Sequence, residues 1–436
     1  MTVDISTTIG GVKMRTPFGV SSHDLDKMWF PGKKLSDLMM KFVDAGAGFI
    51  LGPAIIPGDT LEEEKRGEWR KLMSKQHLGR WLRVDGHTGV FSGRYLQHKL
   101  SYFDEWISAL KPRLPKDVPI LGQALLYDFS PEAWAKHAKR MESMGVDMIE
   151  VNAGCPYDGP MESEESVTLP DETKYGMLIV GGIGTEPDLL AAIIKAVSEA
   201  VKVPVGFKLT GEASCPRFLA VCEKAIKAGA KWVVTNHSSL AVAPPDIWKG
   251  GRTKFPAIDG NPYMAGLMGS ALRMQSYKTT AMISKTFPEL NCWAAGGIDE
   301  PEHVVEAMML GAKAAQCLNG IVINGIKFIT DVNNFITDFM EKCDYKAIDD
   351  FRGLALKHLC SVSECEFLDY VAQTDFSRCI GCGACAETIC PATTMMGGKP
   401  VIDIDLCSGC GMCAVVCPND AIQFVPREEA NAKKVQ

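Results

Sequence analysis

Short apolar runs alternate with amphipathic stretches along most of the first 326 residues. The runs are Phe18-Gly-Val-Ser, Gly48-Phe-Ile-Leu-Gly, Val118-Pro-Ile-Leu-Gly-Gln-Ala, Val146-Asp-Met-Ile-Glu-Val, Val203-Pro-Val-Gly-Phe-Lys-Leu, Lys231-Trp-Val-Val-Thr, Cys292-Trp-Ala-Ala and Ala314-Ala-Gln-Cys-Leu. Each is short enough for a strand buried on both faces. Between most of them the apolar positions recur at helical spacing, as in Trp134-Ala-Lys-His-Ala-Lys-Arg-Met and Leu189-Leu-Ala-Ala-Ile-Ile-Lys-Ala-Val. Gly46, Gly145, Gly229 and Gly311 stand just before the next run, where a helix end calls for the left-handed conformation. Eight such repeats favour an α/β architecture, a (β/α)8 TIM barrel, over the rival doubly wound open sheet.

Two stretches break the rhythm. Residues 59–110 follow the second run and are highly charged; residues 156–187 follow the fourth and are rich in acidic residues and glycine. Both leave the C-terminal ends of strands, where barrel enzymes build their sites, and loops of this length are commonly functional. The expected division is a barrel over 1–326, a helical connector over 327–370 and a small α+β unit over 371–436.

That last unit carries two cysteine runs. Cys379, Cys382 and Cys385 precede Cys390-Pro391; Cys407, Cys410 and Cys413 precede Cys417-Pro418. Three cysteines at CxxCxxC spacing hold three corners of a cubane, and the cysteine before proline serves the other run's cluster. One [4Fe-4S] cluster is therefore expected on Cys379, Cys382, Cys385 and Cys417, and a second on Cys407, Cys410, Cys413 and Cys390, in a bacterial-ferredoxin-like fold. Structural zinc knuckles use paired CxxC units and fit the triplets poorly. One departure is that four residues, not three, separate Cys385 from Cys390.

The rest of the composition narrows the setting. A net charge of −7 over 436 residues argues against a general nucleic-acid binder. Eight of the sixteen cysteines lie outside the cluster runs without framework spacing, so a reducing compartment and a cytoplasmic location are expected. Met1-Thr2-Val3-Asp4 lacks the build of a signal peptide, and no apolar run reaches membrane-spanning length.

Candidate chemistry gathers at the strand ends. These read Glu150-Val-Asn152-Ala-Gly-Cys155-Pro156, Phe207-Lys208-Leu-Thr210, Thr235-Asn236-His237-Ser238, Ala295-Gly296-Gly297-Ile298-Asp299 and Cys317-Leu-Asn319-Gly320. Gly296 and Gly297 let backbone amides approach an anion, and a helix starting after Asn319-Gly320 would aim its positive end at the same place. Ordinary tight turns are the plainer reading of those glycines. Cys155 suits acid–base work, because a thiol of pKa about 8.5 can be tuned by its surroundings; a buried packing cysteine is the plainer alternative.

With these motifs the chain resembles the flavin barrel and ferredoxin tail of dihydropyrimidine dehydrogenase, and more distantly dihydroorotate dehydrogenase. The resemblance runs from Pro17-Phe18-Gly19 to the cluster cysteines. It implies an FMN-dependent oxidoreductase that reduces, or reversibly oxidises, an activated carbon–carbon double bond in a cyclic or conjugated carbonyl compound. It also implies FMN contacts at Ser22, Lys208, Gly269, Ser270, Gly296, Gly297, Asn319 and Gly320. Cys155 becomes the proton donor, with Asn152, Asn236, His237, Gln97 and Lys99 on the substrate. The chain has no GxGxxG after a strand, so electrons are expected from an NAD(P)H-oxidising flavoprotein subunit or a ferredoxin, in a homo- or hetero-oligomer. An electron-transfer scaffold without its own substrate chemistry is the reading from another class.

Three departures bear on the substrate. Where the family has Phe-Leu-Asn-x-Glu-Leu, this chain aligns Tyr95-Leu96-Gln97-His98-Lys99-Leu100, so a glutamate becomes Lys99. The threonine after the second asparagine becomes His237, and a flavin-contacting lysine is replaced within Gly52-Pro53-Ala54. Hypothesis: the substrate is an anionic enone or thioester, not a simple pyrimidine. The alternative is a misaligned insertion with a solvated Lys99.

Overall fold

Each of the eight apolar runs forms a strand. The computed structural model describes residues 3–23, 34–55, 79–84, 88–93, 100–126, 129–155, 167–168, 174–175, 182–255, 260 and 265–434. These residues divide into two units, Met1–His358 and Leu359–Gln436.

In the first unit the strands are β1 (Phe18–Val20), β2 (Ile50–Leu51), β3 (Ile120–Ala124), β4 (Met148–Asn152), β5 (Val205–Lys208), β6 (Trp232–Val234), β7 (Asn291–Ala295) and β8 (Ala314–Cys317). They pair in parallel around one sheet in the order β1-β8-β7-β6-β5-β4-β3-β2. The remaining seam is bridged where Gly48 N donates to Phe18 O at 2.9 Å. The sheet is thus a nearly closed (β/α)8 barrel. Among the described residues the unit also contains helices α1 (Leu35–Asp44), α2 (Leu100–Leu110), α3 (Pro131–Met144), α4 (Pro187–Ala200), α5 (Cys215–Lys227), α6 (Arg273–Thr286), α7 (Glu302–Met309), α8 (Asn319–Asn324) and α9 (Lys327–Lys342). Gly46, Gly145, Gly229 and Gly311 all have positive φ, as the turn before each strand requires.

Helix α3 shows how local sequence sets these elements. Ser130 Oγ accepts from Ala133 N at 3.3 Å, Pro131 opens the first turn and Gly145 closes the last. Its buried stripe includes Trp134, His137 and Met141. The His137 imidazole contacts the Ile55 carbonyl through Nε2 at 2.8 Å, so Nε2 carries the proton, and burial pushes its pKa down to about 4 from 6.5. Between those values the unfolded chain binds a proton that the folded chain refuses, so stability rises with pH. The contribution, about 3 kcal/mol, is complete above pH 6.5 and is lost as pH falls toward 4. His137→Gln should flatten this slope, read as the unfolding midpoint between pH 7 and 4.5.

Side chains alternate across each barrel strand, so every second residue points inward. The lower interior layer is apolar: Leu121, Met148, Trp232, Trp293 and Ala314 cluster with Ile9 and Met14 of an N-terminal hairpin (Thr7–Ile9, Val12–Met14). Trp232 and Trp293 stack at 5.8 Å, and a Cβ on Gly206 would lie 2.2 Å from the Trp232 ring. Two residues further along, the interior turns polar, with Gln123, Glu150, Lys208 and Gln316 all buried.

The 59–110 stretch is not merely an insertion. Its last part is α2, which buries Phe103 and Trp106. Before it, strands Gly79–Val84 and Thr88–Gly93 form a hairpin that joins Ser239–Ala241 and Ala265–Met268 in a four-stranded antiparallel sheet. Among the described residues no helix is long and apolar enough to cross a membrane.

The second unit is small. Tyr370–Thr374 pairs with Ile422–Pro426, and Thr393–Met396 with Lys399–Ile402, both antiparallel. Its core consists of Val371, Ala372, Ala392, Ile404, Ile422 and Ala430 packed against Cys385, Cys407 and Cys413.

Candidate active site

A cavity opens beyond the C-terminal ends of the barrel strands. Of the residues singled out in the sequence, Ser22, Lys208, Asn236, His237, Gly269, Gly296, Gly297 and Asn319 line it. Ser270 and Gly320 sit next in sequence to lining residues, while Asn152 and Cys155 are buried and are not among those that line it. Gln97 and Lys99 lie outside the described residues, as does Pro156.

The cavity wall has the properties of an anion and amide site. Gly296 and Gly297 have φ of +96° and +82°, and a Cβ on Gly297 would fall 2.5 Å from the Arg273 backbone. Only glycine fits there. The Asn236 Nδ2 and both amide atoms of Asn319 are buried without a partner among the described residues. Unpaired buried amides are costly unless a ligand satisfies them. A planar group with a phosphate tail meets these requirements, which is what a flavin nucleotide offers.

At the cavity floor, Lys208 Nζ donates to Ser21 Oγ at 2.9 Å and to Gln316 Oε1 at 3.2 Å. Burial lowers the Lys208 pKa, while the charges of Glu150 and Cys155 act to raise it. His237 is half-buried. Its Nδ1 accepts from its neighbour's backbone, Ser238 N, at 2.8 Å, which leaves Nε2 as the protonated nitrogen. Burial, and then the Lys208 charge, hold this imidazole well below its ordinary pKa. His237 therefore acts as a neutral hydrogen-bond donor rather than as a cation.

Asn152 shapes the turn that holds Cys155. Its Oδ1 accepts from Gly154 N at 3.1 Å and from Cys155 N at 3.0 Å, and its Nδ2 donates to Gln123 Oε1 at 3.0 Å. Ser21, Gln123, Glu150 and Gln316 were not singled out in the sequence. The available signal was a polar side chain inside an otherwise apolar strand.

In the second unit Cys379, Cys382, Cys385 and Cys417 line one small cavity. Cys413 feels the charges of Cys407 and Cys390. Among the described residues no group of three or more His, Cys, Asp or Glu closes on a single-ion position; the thiols ring a space instead. Backbone amides already point at sulfur: Ala421 N lies 3.2 Å from Cys417 Sγ, and Ala372 N lies 3.4 Å from Cys407 Sγ. Such bonds help set a cluster's potential. The extra residue before Cys390 is absorbed by Thr388, whose Oγ1 donates to Cys385 O and accepts from Cys390 N. Ile389 is left turned out to solvent.

Comparison with known proteins agrees with this geometry. The family signature described as Dihydrouridine synthase (Dus) matches residues 123–238, and that of the 4Fe-4S binding domain matches residues 400–423. The chain is an oxidoreductase whose barrel carries a flavin-enzyme signature and whose C-terminal part carries a 4Fe-4S one. Within that class it is 22% identical over 396 residues to the NAD-dependent dihydropyrimidine dehydrogenase subunit PreA of Escherichia coli (strain K12), covering 88% of this chain and 85% of that protein. It is 23% identical over 367 residues to the chloroplastic dihydropyrimidine dehydrogenase (NADP(+)) of Arabidopsis thaliana, covering 81% and 78%. The catalytic subunit of dihydroorotate dehydrogenase B (NAD(+)) from Thermoplasma volcanium is 25% identical over 355 residues, covering 81% and 99%.

Proposed function

We propose that the chain uses FMN and two [4Fe-4S] clusters to reduce, or reversibly oxidise, an activated carbon–carbon double bond next to a carbonyl, as a dihydropyrimidine dehydrogenase does. The observation that carries this reading is one cavity walled by a buried lysine and unpaired asparagine amides, in a chain with eight cluster-spaced cysteines. Bound in this cavity, FMN would supply hydride-transfer chemistry, and the clusters would supply one-electron relay. Lys208 would face the flavin and stabilise the negative charge of its reduced form. Ser22, Gly269, Ser270, Gly296, Gly297, Asn319 and Gly320 would hold the ring and the phosphate. Asn236 and Asn152 would orient the substrate, and Cys155 would deliver the proton to the neighbouring carbon. Electrons would come from an NAD(P)H-oxidising flavoprotein subunit or a ferredoxin. A partner subunit is in keeping with the name of the Escherichia coli relative.

The test is anaerobic. Chemically reduced, fully loaded protein is mixed with uracil or thymine while flavin and cluster absorbance are followed. Prompt reoxidation that is lost in Cys155→Ser supports the pyrimidine substrate; unchanged spectra reject it.

His237 favours a second reading of the substrate. With Nδ1 occupied by Ser238 N, the ring offers only the Nε2 donor to a ligand. An enone or thioester carrying a carboxylate oxygen would accept that bond, and Lys99 would add a charge. Lys99→Glu should then cut turnover of an anionic enone by about 10-fold or more, as expected when one charged contact is reversed. Kinetics unchanged by that substitution would remove Lys99 from the site.

A further inference from the structure

We propose that Glu150 is a positioning residue, one buried carboxylate that fixes the polarity of two hydrogen-bond branches, one ending on Lys208 and the other on the Cys155 turn. The inference rests on the reading of Lys208 and Cys155 given above. Glu150 lies on β4 inside the barrel and is fully buried. Both of its oxygens accept amide bonds: Oε1 from Gln123 Nε2 and Oε2 from Gln316 Nε2, each at 2.6 Å.

A glutamine amide has a donor end and an acceptor end. Once a carboxylate takes the donor end, the acceptor end must face the other way. Gln316 therefore presents Oε1 to Lys208 Nζ at 3.2 Å and to Ser21 Oγ at 3.3 Å. Gln123 presents Oε1 to Asn152 Nδ2 at 3.0 Å. That bond forces Asn152 to turn its own Oδ1 toward Gly154 N and Cys155 N. Every amide in the chain of contacts has its direction set from the carboxylate outward. The arrangement spans four strands, β3, β4, β5 and β8, and the Glu150 charge also offsets the burial of Lys208.

Glu150→Gln keeps the shape and removes this logic. The new amide has one donor end, so it must meet the donor end of Gln123 or of Gln316, and one branch has to invert. Inversion of Gln316 would aim an N–H at the Lys208 ammonium. Inversion of Gln123 would turn Asn152 over and break the Cys155 turn. The swap Glu150→Gln with Gln316→Glu repairs both. The amide introduced on β4 would accept from Gln123 and donate to the carboxylate introduced on β8, which then accepts from Lys208 and Ser21.

The experiment uses the flavin-loaded protein and needs no substrate. The titration of Lys208 is followed by the carbon NMR signal of its ε-methylene, and the flavin midpoint potential is measured by anaerobic titration. Glu150→Gln should move the lysine titration to lower pH by about one unit or more, a 10-fold change in its ionisation constant. The flavin potential should fall with it, and the double variant should recover both. Wild-type values in Glu150→Gln, or a double variant no closer to wild type than the single one, would overturn the proposal. If uracil and thymine fail to reoxidise the enzyme, these two readouts are unaffected, so the two failures are distinct.

Discussion

Replacing Cys155 with serine should lower turnover by about 10²–10⁴-fold, the range over which a positioned general acid contributes. The substitution replaces a thiol with a hydroxyl, a group that as a class holds its proton far more tightly. It should leave the fold intact, because Cys155 is held by its backbone: the N–H bonded to Asn152 Oδ1 does not involve the sulfur. The check is single-turnover reoxidation of the reduced enzyme by its substrate, with flavin and cluster spectra recorded beforehand. A serine variant with normal spectra and nearly full turnover would deprive Cys155 of the acid role and favour the scaffold reading.

Cys417→Ala should empty one cluster and spare the other. Because Cys417 shares a cavity with Cys379, Cys382 and Cys385, its loss removes the fourth ligand from that set and leaves Cys407, Cys410, Cys413 and Cys390 complete. Iron and acid-labile sulfide should drop to about half, as the crossed ligation of two-cluster ferredoxins requires. Cys390→Ala should give the complementary loss. Tetranuclear clusters would be identified by electron paramagnetic resonance of the reduced protein. Two zinc ions per chain and no iron would eliminate the cluster assignment.

The barrel was legible in the sequence because its strands are local statements. A run such as Val146-Asp-Met-Ile-Glu-Val, with a glycine before it and an amphipathic stretch on either side, announces a buried strand without its partners. The cysteine pattern is equally local, since its spacing alone carries the expectation of clusters. The polar layer was not legible. Gln123, Glu150 and Gln316 each look like a blemish in an apolar run. Only closure of the sheet brings β3, β4 and β8 close enough for one carboxylate to bond both amides. The antiparallel sheet escaped for the same reason, because Thr88–Gly93 finds its partner at Ala265–Met268, far along the chain. The protonation of His237 was half visible. Its identity suggested an added imidazole, but its neutrality follows from burial and from the charge of Lys208, which no spacing reveals.

The stacked tryptophans of the barrel floor have an optical consequence. Trp232 and Trp293 lie two residues below Val234 and Ala295 on the same strands, about 7 Å at the usual rise of a parallel strand. Ala295 lines the cavity. A flavin seated there would lie within short range of both indoles and would quench their emission through energy transfer. Loading of the barrel could then be followed as a fall in tryptophan fluorescence, in a variant of any other residue, with no electron donor, clusters or substrate required.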